Sequence, residues 1–492
     1  MFDATILVAT ADAGSDAAVF WYGVTLGGYL LTLLLTPWVF LQKKPHPEST
    51  LAWIMAIILL PYLGSLLFLI FGINRVARRA ARKQAANRRL GGVLPGLSQY
   101  QLIPGEEPSP QLQRLMRLTD RLQIDRPCYG NQVEVLVDTN RALGLIEQAI
   151  LSAQHSVNLE YYIWQPDRTG RKLRDLLIDR AKQGVQIRFL YDGIGSLWLG
   201  RRFLAPMRAA GIRVASFLPG PTFRERWSIN LRSHRKIVIV DGKTGFTGGM
   251  NIGDEYIGKN RYLGYWRDTH LCLGGPVVLQ LQQVFAEDWF FATSEMLSHA
   301  EWYPPPQELG DQLAHVVAGG PDQDTDVFHT LLFAALNEAV ERITITTGYF
   351  IPTPALQTAL ETAAARGVQV RLLLPAHGGH RWMVTAGRSF YDQLLEAGIE
   401  IYEYQHRALH AKTVTIDGLW SLVGTPNFDT RSLRLNFEVA VILYGPKPAE
   451  RLENNFTADL KHAQRIEPAT WSQRSSGKRL AEQFLRLFSP VL

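Results

Sequence analysis

Residues 233–251 read SHRKIVIVDGKTGFTGGMN, and residues 409–427 read LHAKTVTIDGLWSLVGTPN. Both stretches hold His-x-Lys, an apolar β-branched run, Asp-Gly, and a glycine-containing turn ending in Asn. Side chains alternate faces along a strand, so His234 and Lys236 share one face, as do His410 and Lys412. Asp-Gly after such a run is a strong hairpin signal, which places Asp241 and Asp417 at corresponding strand ends. One His-x-Lys suits any solvated edge strand. Two copies in matching surroundings point to chemistry.

The surroundings are duplicated as well. VNLEYYIW from Val157 and GVQIRFLYD from Gly184 are answered by ITITTGYFIP from Ile343 and GVQVRLLLP from Gly367. AAGIRVASF from Ala209 is answered by EAGIEIYEY from Glu396. Strand-like runs alternating with helix-like ones imply α/β halves with largely parallel sheets. Pro304, Pro305, Pro306 and then Gly319, Gly320 and Pro321 concentrate breaker residues between the copies. The expected layout is residues 1–75 as two transmembrane helices, 76–101 as a basic juxtamembrane linker, and 102–310 and 311–492 as the two halves.

Composition bounds the rest. The chain has 492 residues, 47% hydrophobic and 20% charged, with two cysteines, which excludes a disordered chain and a disulfide scaffold. Cys128 and Cys272 have no metal-ligand spacing and read as ordinary buried thiols. A net charge of +6 favours an anionic partner. No charge falls between Asp16 and Lys43, nor between Glu48 and Arg75, and each gap exceeds the ~20 apolar residues that span a bilayer. Acidic residues precede the first gap, so a cleaved signal peptide is rejected. Pro61 and Gly64 interrupt the second gap and imply a kinked or re-entrant segment. The run Arg75, Arg78, Arg79, Arg82, Lys83, Arg88 and Arg89 sets the remainder in the cytoplasm and suits anionic headgroups.

Two histidines joined across a pseudo-two-fold can divide a displacement, one attacking and the other protonating the leaving oxygen. Lysines and asparagines of the same motifs would bind an anionic centre, and no carboxylate cluster among them suits magnesium. Asp268 in YWRDTH and Glu438 in LNFEVAV follow the two Asn-ending turns at matching places and are expected to orient the histidines.

These paired HxKxxxxDxxxxxxG patterns resemble the phospholipase D superfamily. HPESTLAWIMAIILLPYLGSLLFLIFG from His46, GGMNIGDEYIG from Gly248, YWRDTH from Tyr265 and GTPNFDTRSLRLNFEV from Gly424 resemble bacterial cardiolipin synthases within it. The resemblance implies two fused α/β halves around one interfacial site, behind a transmembrane helical hairpin. It implies that two phosphatidylglycerols become cardiolipin and glycerol through a phosphatidyl-histidine, with no metal and no cofactor. By motif, His234 resembles the nucleophile and His410 the general acid, while Lys236, Lys412, Asn251 and Asn427 would hold phosphate oxygens. Asp241 and Asp417 belong to the catalytic signature but read better as turn stabilisers. Where the family usually has Ser after the turn glycine, this chain has Gly249 and Thr425. The expected partners are phosphatidylglycerol and other anionic lipids of a bacterial inner membrane, with no nucleic acid; a homo-oligomer stays open. Phosphodiester hydrolysis and a catalytically silent scaffold are the competing readings.

Three other features have two readings each. His377 and His380 flank a loop and are read as rim or surface residues, with no metal assigned. Arg224, Arg226, Trp227, Arg232 and Arg235 suit a nucleic-acid groove or an anionic lipid headgroup. Leu480, Phe484, Leu487 and Phe488 fall on one helical face near Lys478, Arg479 and Arg486, as an interfacial helix or one packed on the second half would have them.

Overall fold

The computed structural model describes residues 5–42, 47–73, 97–100, 108–122, 124–217, 231–260, 264–323, 325–378 and 381–489. The basic run from Arg75 to Arg89, together with Arg224, Arg226, Trp227 and His380, lies outside them. The chain divides into an N-terminal unit, Met1–Arg78, and a main unit formed by Arg79–Arg226 and Leu231–Leu492.

In the N-terminal unit a single helix runs from Thr5 to Leu41, and its Ala18–Leu41 portion is long and apolar enough to cross a membrane. The second expected span is not one helix. Pro47–Leu59 is 13 residues long, about 20 Å at 1.5 Å per residue, against about 30 Å of hydrocarbon. Pro61 lacks an N–H and starts a new helix, Pro61–Leu67, after Leu60 leaves helical geometry. A π-helical turn, Phe68–Gly72, follows. Among the described residues one helix is thus long and apolar enough to span, and the second segment is broken at Pro61, where the sequence implied a kink. The pieces pack through Leu35, Val39, Ile57 and Phe68, and Gly64 lets the kink close on the Ala56 carbonyl, where a Cβ would stand 2.0 Å away.

The main unit repeats one sheet twice. The first half orders its strands Cys128–Leu136, His270–Gly274, Thr244–Gly248, Lys236–Val240, Ser156–Tyr161, Gln186–Tyr191 and Arg213–Ser216. The second orders Gln312–Gly319, Asn436–Tyr444, Trp420–Gly424, Lys412–Ile416, Arg342–Thr347, Gln369–His377 and Glu400–Leu409 in the same way. The expectation of largely parallel sheets is corrected, because only the last two pairings of each half are parallel. Those strands are joined by crossover helices such as Arg168–Lys182 and Pro354–Ala365, whereas Asp-Gly hairpins force their neighbours antiparallel. Asp167 and Thr353 cap those two helices by accepting from Gly170 N and Leu356 N.

Each half has its own apolar core, with Ile146, Leu159, Leu173, Phe189 and Val238 in the first and Leu331, Ile345, Leu360, Leu372 and Val414 in the second. The halves are joined along their first strands, where Cys128 opposes Ala314 and Asn131 opposes Gln312 across an irregular register. Asn131 fills that irregularity, donating to the Cys128 and Gln312 carbonyls and accepting from Val277 N. Two short parallel pairings cross between the halves: Arg232–Ser233 beside Asn436–Phe437, and Trp266–Arg267 beside Ala408–Leu409.

Both Asp-Gly turns are left-handed, with φ of 53° at Asp241 and at Asp417, a conformation Asp tolerates better than most residues. The Asp241 carboxylate accepts from the backbone amides of Gln154, His155 and Ser156 at 2.7–2.8 Å. Asp417 does the same for Val340, Glu341 and Arg342 at 2.8–2.9 Å. Each carboxylate thereby pins the hairpin to the start of the neighbouring strand. Asp417→Ala is expected to cost about 3 kcal/mol, the worth of one or two charged hydrogen bonds, and to lower the melting midpoint in detergent while the surviving folded protein stays active. Lost activity at an unchanged midpoint would instead make the residue part of the chemistry.

Candidate active site

The cross-half pairings bring the two motif histidines beside carboxylates. Ser233 is hydrogen-bonded into the strand leading to Glu438, and His234 N donates to the Phe437 carbonyl at 2.8 Å. On the other side His410 N donates to the Arg267 carbonyl at 2.8 Å, directly before Asp268. Each histidine therefore meets the carboxylate of the opposite half. His234 Nδ1 lies 2.9 Å from Glu438 Oε2, and His410 Nδ1 lies 2.8 Å from Asp268 Oδ2. An ionised carboxylate only accepts, so each Nδ1 carries the proton and each Nε2 presents a lone pair.

The two carboxylates reach their histidines by different means. Glu438 Oε2 also accepts from Thr425 Oγ1 at 2.5 Å, and Oε1 accepts from Asn436 Nδ2 at 3.1 Å. Asp268 is one methylene shorter and occupies the space that a side chain at Gly249 would need, since a Cβ there would stand 2.0 Å from Oδ1. Its Oδ1 accepts from Thr269 N at 2.8 Å. The departures at Gly249 and Thr425 are therefore paired with Asp and Glu respectively. Burial pushes both carboxyls upward, but histidine, lysine and hydrogen-bond donors more than offset it and hold both below the usual range.

Lys236 and Lys412 are buried, and each Nζ donates to the carbonyl of its own motif histidine. Burial lowers Lys236 to about 7 and Lys412 to about 8. Burial and the lysine charges likewise bring His234 and His410 to about 4, against the pull of their carboxylates. Two lysine amines, Lys412 mostly charged and Lys236 at the midpoint of its titration, thus face two carboxylates, with both imidazoles neutral at neutral pH. Asn251 and Asn427 are buried at the ends of the corresponding turns; Asn251 Oδ1 accepts from Ile163 N, and Asn427 Oδ1 has no partner among the described residues. Among the described residues no three His, Cys, Asp or Glu side chains cluster as metal ligands would.

Several contributors escaped the sequence. Tyr162 meets the His234 ring edge-on at 4.9 Å, and Trp266 lies 5.4 Å from the His410 ring. Arg431, just after the second Asn-ending turn, is half-buried near Arg232, Tyr162 and Asp192. Motif doubling carried no information on any of these, although Trp266 stands beside Asp268 in the quoted YWRDTH. Arg235 is corrected: it is fully buried, paired with Asp288, and donates to the Glu438 and Gly319 carbonyls, so it braces the site and meets no headgroup.

Residues 146–289 and 332–460 match the family described as cardiolipin synthase, PLD-like domain, and residues 30–72 match the phospholipase D-nuclease N-terminal family. The cardiolipin synthase of Geobacillus thermodenitrificans (strain NG80-2) is 37% identical over 489 residues, covering 96% of this chain and 95% of that protein. Cardiolipin synthase 2 of Bacillus cereus (strain ATCC 14579) is 37% identical over 465 residues, 92% of this chain and 88% of its own. The crystal structure of phosphatidylserine synthase from Haemophilus influenzae Rd KW20 shares the fold with a TM-score of 0.57 at 14% identity, covering 78% of this chain and all of that one.

A bound anion favours the charged form of a neighbouring imidazole. In histidine-labelled protein, the His234 and His410 resonances, assigned with Asn substitutions, are expected to stay neutral from pH 7.5 to about 5 without ligand. Inorganic phosphate should then turn at least one of them to imidazolium at neutral pH. Protonation of either ring near pH 6.5 without ligand would contradict the burial argument.

Proposed function

The chain belongs to the cardiolipin synthases of the phospholipase D superfamily, phospholipid phosphatidyltransferases, and from that premise we propose that it joins two phosphatidylglycerol molecules into cardiolipin with release of glycerol. The observation that carries this reading is the crossed pairing of His234 with Glu438 and of His410 with Asp268. Two oriented imidazoles with free Nε2 lone pairs suit a double displacement, in which each group alternates its role.

In the first step His410 takes a proton from solvent at Nε2 as the anionic headgroup binds beside it, His234 Nε2, still neutral, attacks phosphorus of one phosphatidylglycerol, and His410 gives that proton to the departing glycerol oxygen. A phosphatidyl-histidine and free glycerol result. His410, now neutral, takes the proton from the headgroup hydroxyl of a second phosphatidylglycerol. That oxygen attacks the phosphatidyl group, and His234 leaves. Glu438 and Asp268 keep each Nδ1–H in place and favour the imidazolium that forms. Lys236, Lys412, Asn251 and Asn427 hold the non-bridging oxygens, whose charge grows in the transition state. Arg232 and Arg431 supply cationic charge for the acceptor's own phosphate. The substrate's negative charge supplies what the neutral histidines lack, because it raises their proton affinity as it binds.

The apolar helix Ala18–Leu41 supports attachment to the membrane in which these substrates reside. We place the broken segment Pro47–Gly72 in the same membrane and the main unit on its cytoplasmic side, following the basic residues after Arg75.

Purified protein with phosphatidylglycerol and excess EDTA is expected to yield cardiolipin and glycerol by mass spectrometry, with none from His234→Ala or His410→Ala. Phosphatidic acid alone would make the protein a hydrolase, and dependence on added divalent metal would overturn the mechanism. Asp268→Asn and Glu438→Gln should each lower kcat by about 10³-fold, with little change in KM, because the ring tautomer is lost while binding groups remain.

A further inference from the structure

The helix Ser476–Arg486 is attached to the main unit by its polar side. Ser475 caps it, and Glu482, 3% exposed, pairs with Arg474, which also binds Asp392. Arg486 lies over the Phe390 ring at 4.4 Å, and Leu485 packs on the second core. The opposite side is apolar and open: Leu480 is 72% exposed, Phe484 58%, Leu487 74% and Phe488 46%. A helix on a globular surface ordinarily turns such a stripe inward. Here a buried ion pair faces the protein and the stripe faces outward. The adjoining helix Arg381–Arg388 adds Trp382, 44% exposed, an amphipathic ring of the kind that favours the headgroup level. Lys478 and Arg479 are exposed on the same helix, while its one acid, Glu482, is paired with Arg474, so the helix has no uncompensated negative charge.

We propose that Leu480, Phe484, Leu487, Phe488 and Trp382 form a membrane-contact surface that rests in the interface of an anionic bilayer, with Lys478 and Arg479 meeting acidic headgroups. Apolar depth and basic charge together select an anionic lipid surface. A second protein copy would gain from the stripe but not from the basic residues. The proposal goes beyond the reaction and does not depend on which phosphodiester is turned over. Its consequence is that the main unit has its own hold on lipid, independent of the N-terminal helix.

The test uses the full chain in vesicles of phosphatidylglycerol and phosphatidylcholine. A nitroxide is placed at Leu487→Cys, with Lys461→Cys as an aqueous reference, both in a Cys272→Ala background. The label at 487 is expected to collide several-fold more with oxygen than with a nickel chelate, relative to the reference, and less so in pure phosphatidylcholine. Leu480→Ser with Phe484→Ser should return it to water, and these surface changes leave the apolar core untouched. Chelate collisions equal to the reference would overturn the proposal. So would protection from both reagents with spin–spin broadening, which would mean a second copy covers the stripe. Equal immersion without phosphatidylglycerol would overturn the anionic preference. None of these readings depends on turnover, so failure here and failure of the cardiolipin reaction are distinguishable.

Discussion

Two imidazole–carboxylate hydrogen bonds that cross between the halves are the constraint on which the rest of the structure depends. Glu438 belongs to the second half and holds His234 of the first; Asp268 belongs to the first and holds His410 of the second. Neither half alone contains an oriented histidine. The short parallel pairings at Arg232–Ser233 and Trp266–Arg267 fix the backbones that carry these groups to within a hydrogen bond of one another. The first-strand junction, where Cys128 opposes Ala314 and Asn131 opposes Gln312 across an irregular register, joins the two sheets.

Charge explains why such a site tolerates burial. Isolated, a buried ammonium or carboxylate is strongly unfavourable. Lys236 and Lys412 are balanced by Glu438 and Asp268, and the histidines avoid charge by staying neutral. Arg235 with Asp288 repeats the arrangement behind the site. Each buried cation of the two motifs therefore has a buried anion close by, and neither imidazole adds a further charge at neutral pH.

Much of this was legible because duplication converts a weak motif into a strong one. His-x-Lys and Asp-Gly at equal spacing marked the paired hairpins, and strand alternation marked the faces. Asp268 and Glu438 were readable as candidate partners of the histidines, but not which histidine each meets, since the crossing is set by contacts between residues 142 and 204 positions apart. Sheet direction was misjudged because hydrophobic runs report burial and carry no direction. Arg235 was misread as exposed, because a lone arginine in a basic stretch gives no sign of a partner 53 residues later. The kink in the second apolar segment was legible, because the missing N–H of Pro61 shows in the sequence.

The Gly249–Asp268 and Thr425–Glu438 combinations have a bearing on descent. A shorter acid without a neighbouring side chain and a longer acid with a hydroxyl beside it are two solutions to holding one ring. Exchanging a single member either crowds the shorter acid or deprives the longer one of its donor. A side chain gained at Gly249, or a hydroxyl lost at Thr425, therefore has to be matched by a change in the acid beside it. A protein built from two copies of one module has in this way lost the freedom to interchange them, and its halves have become individuals.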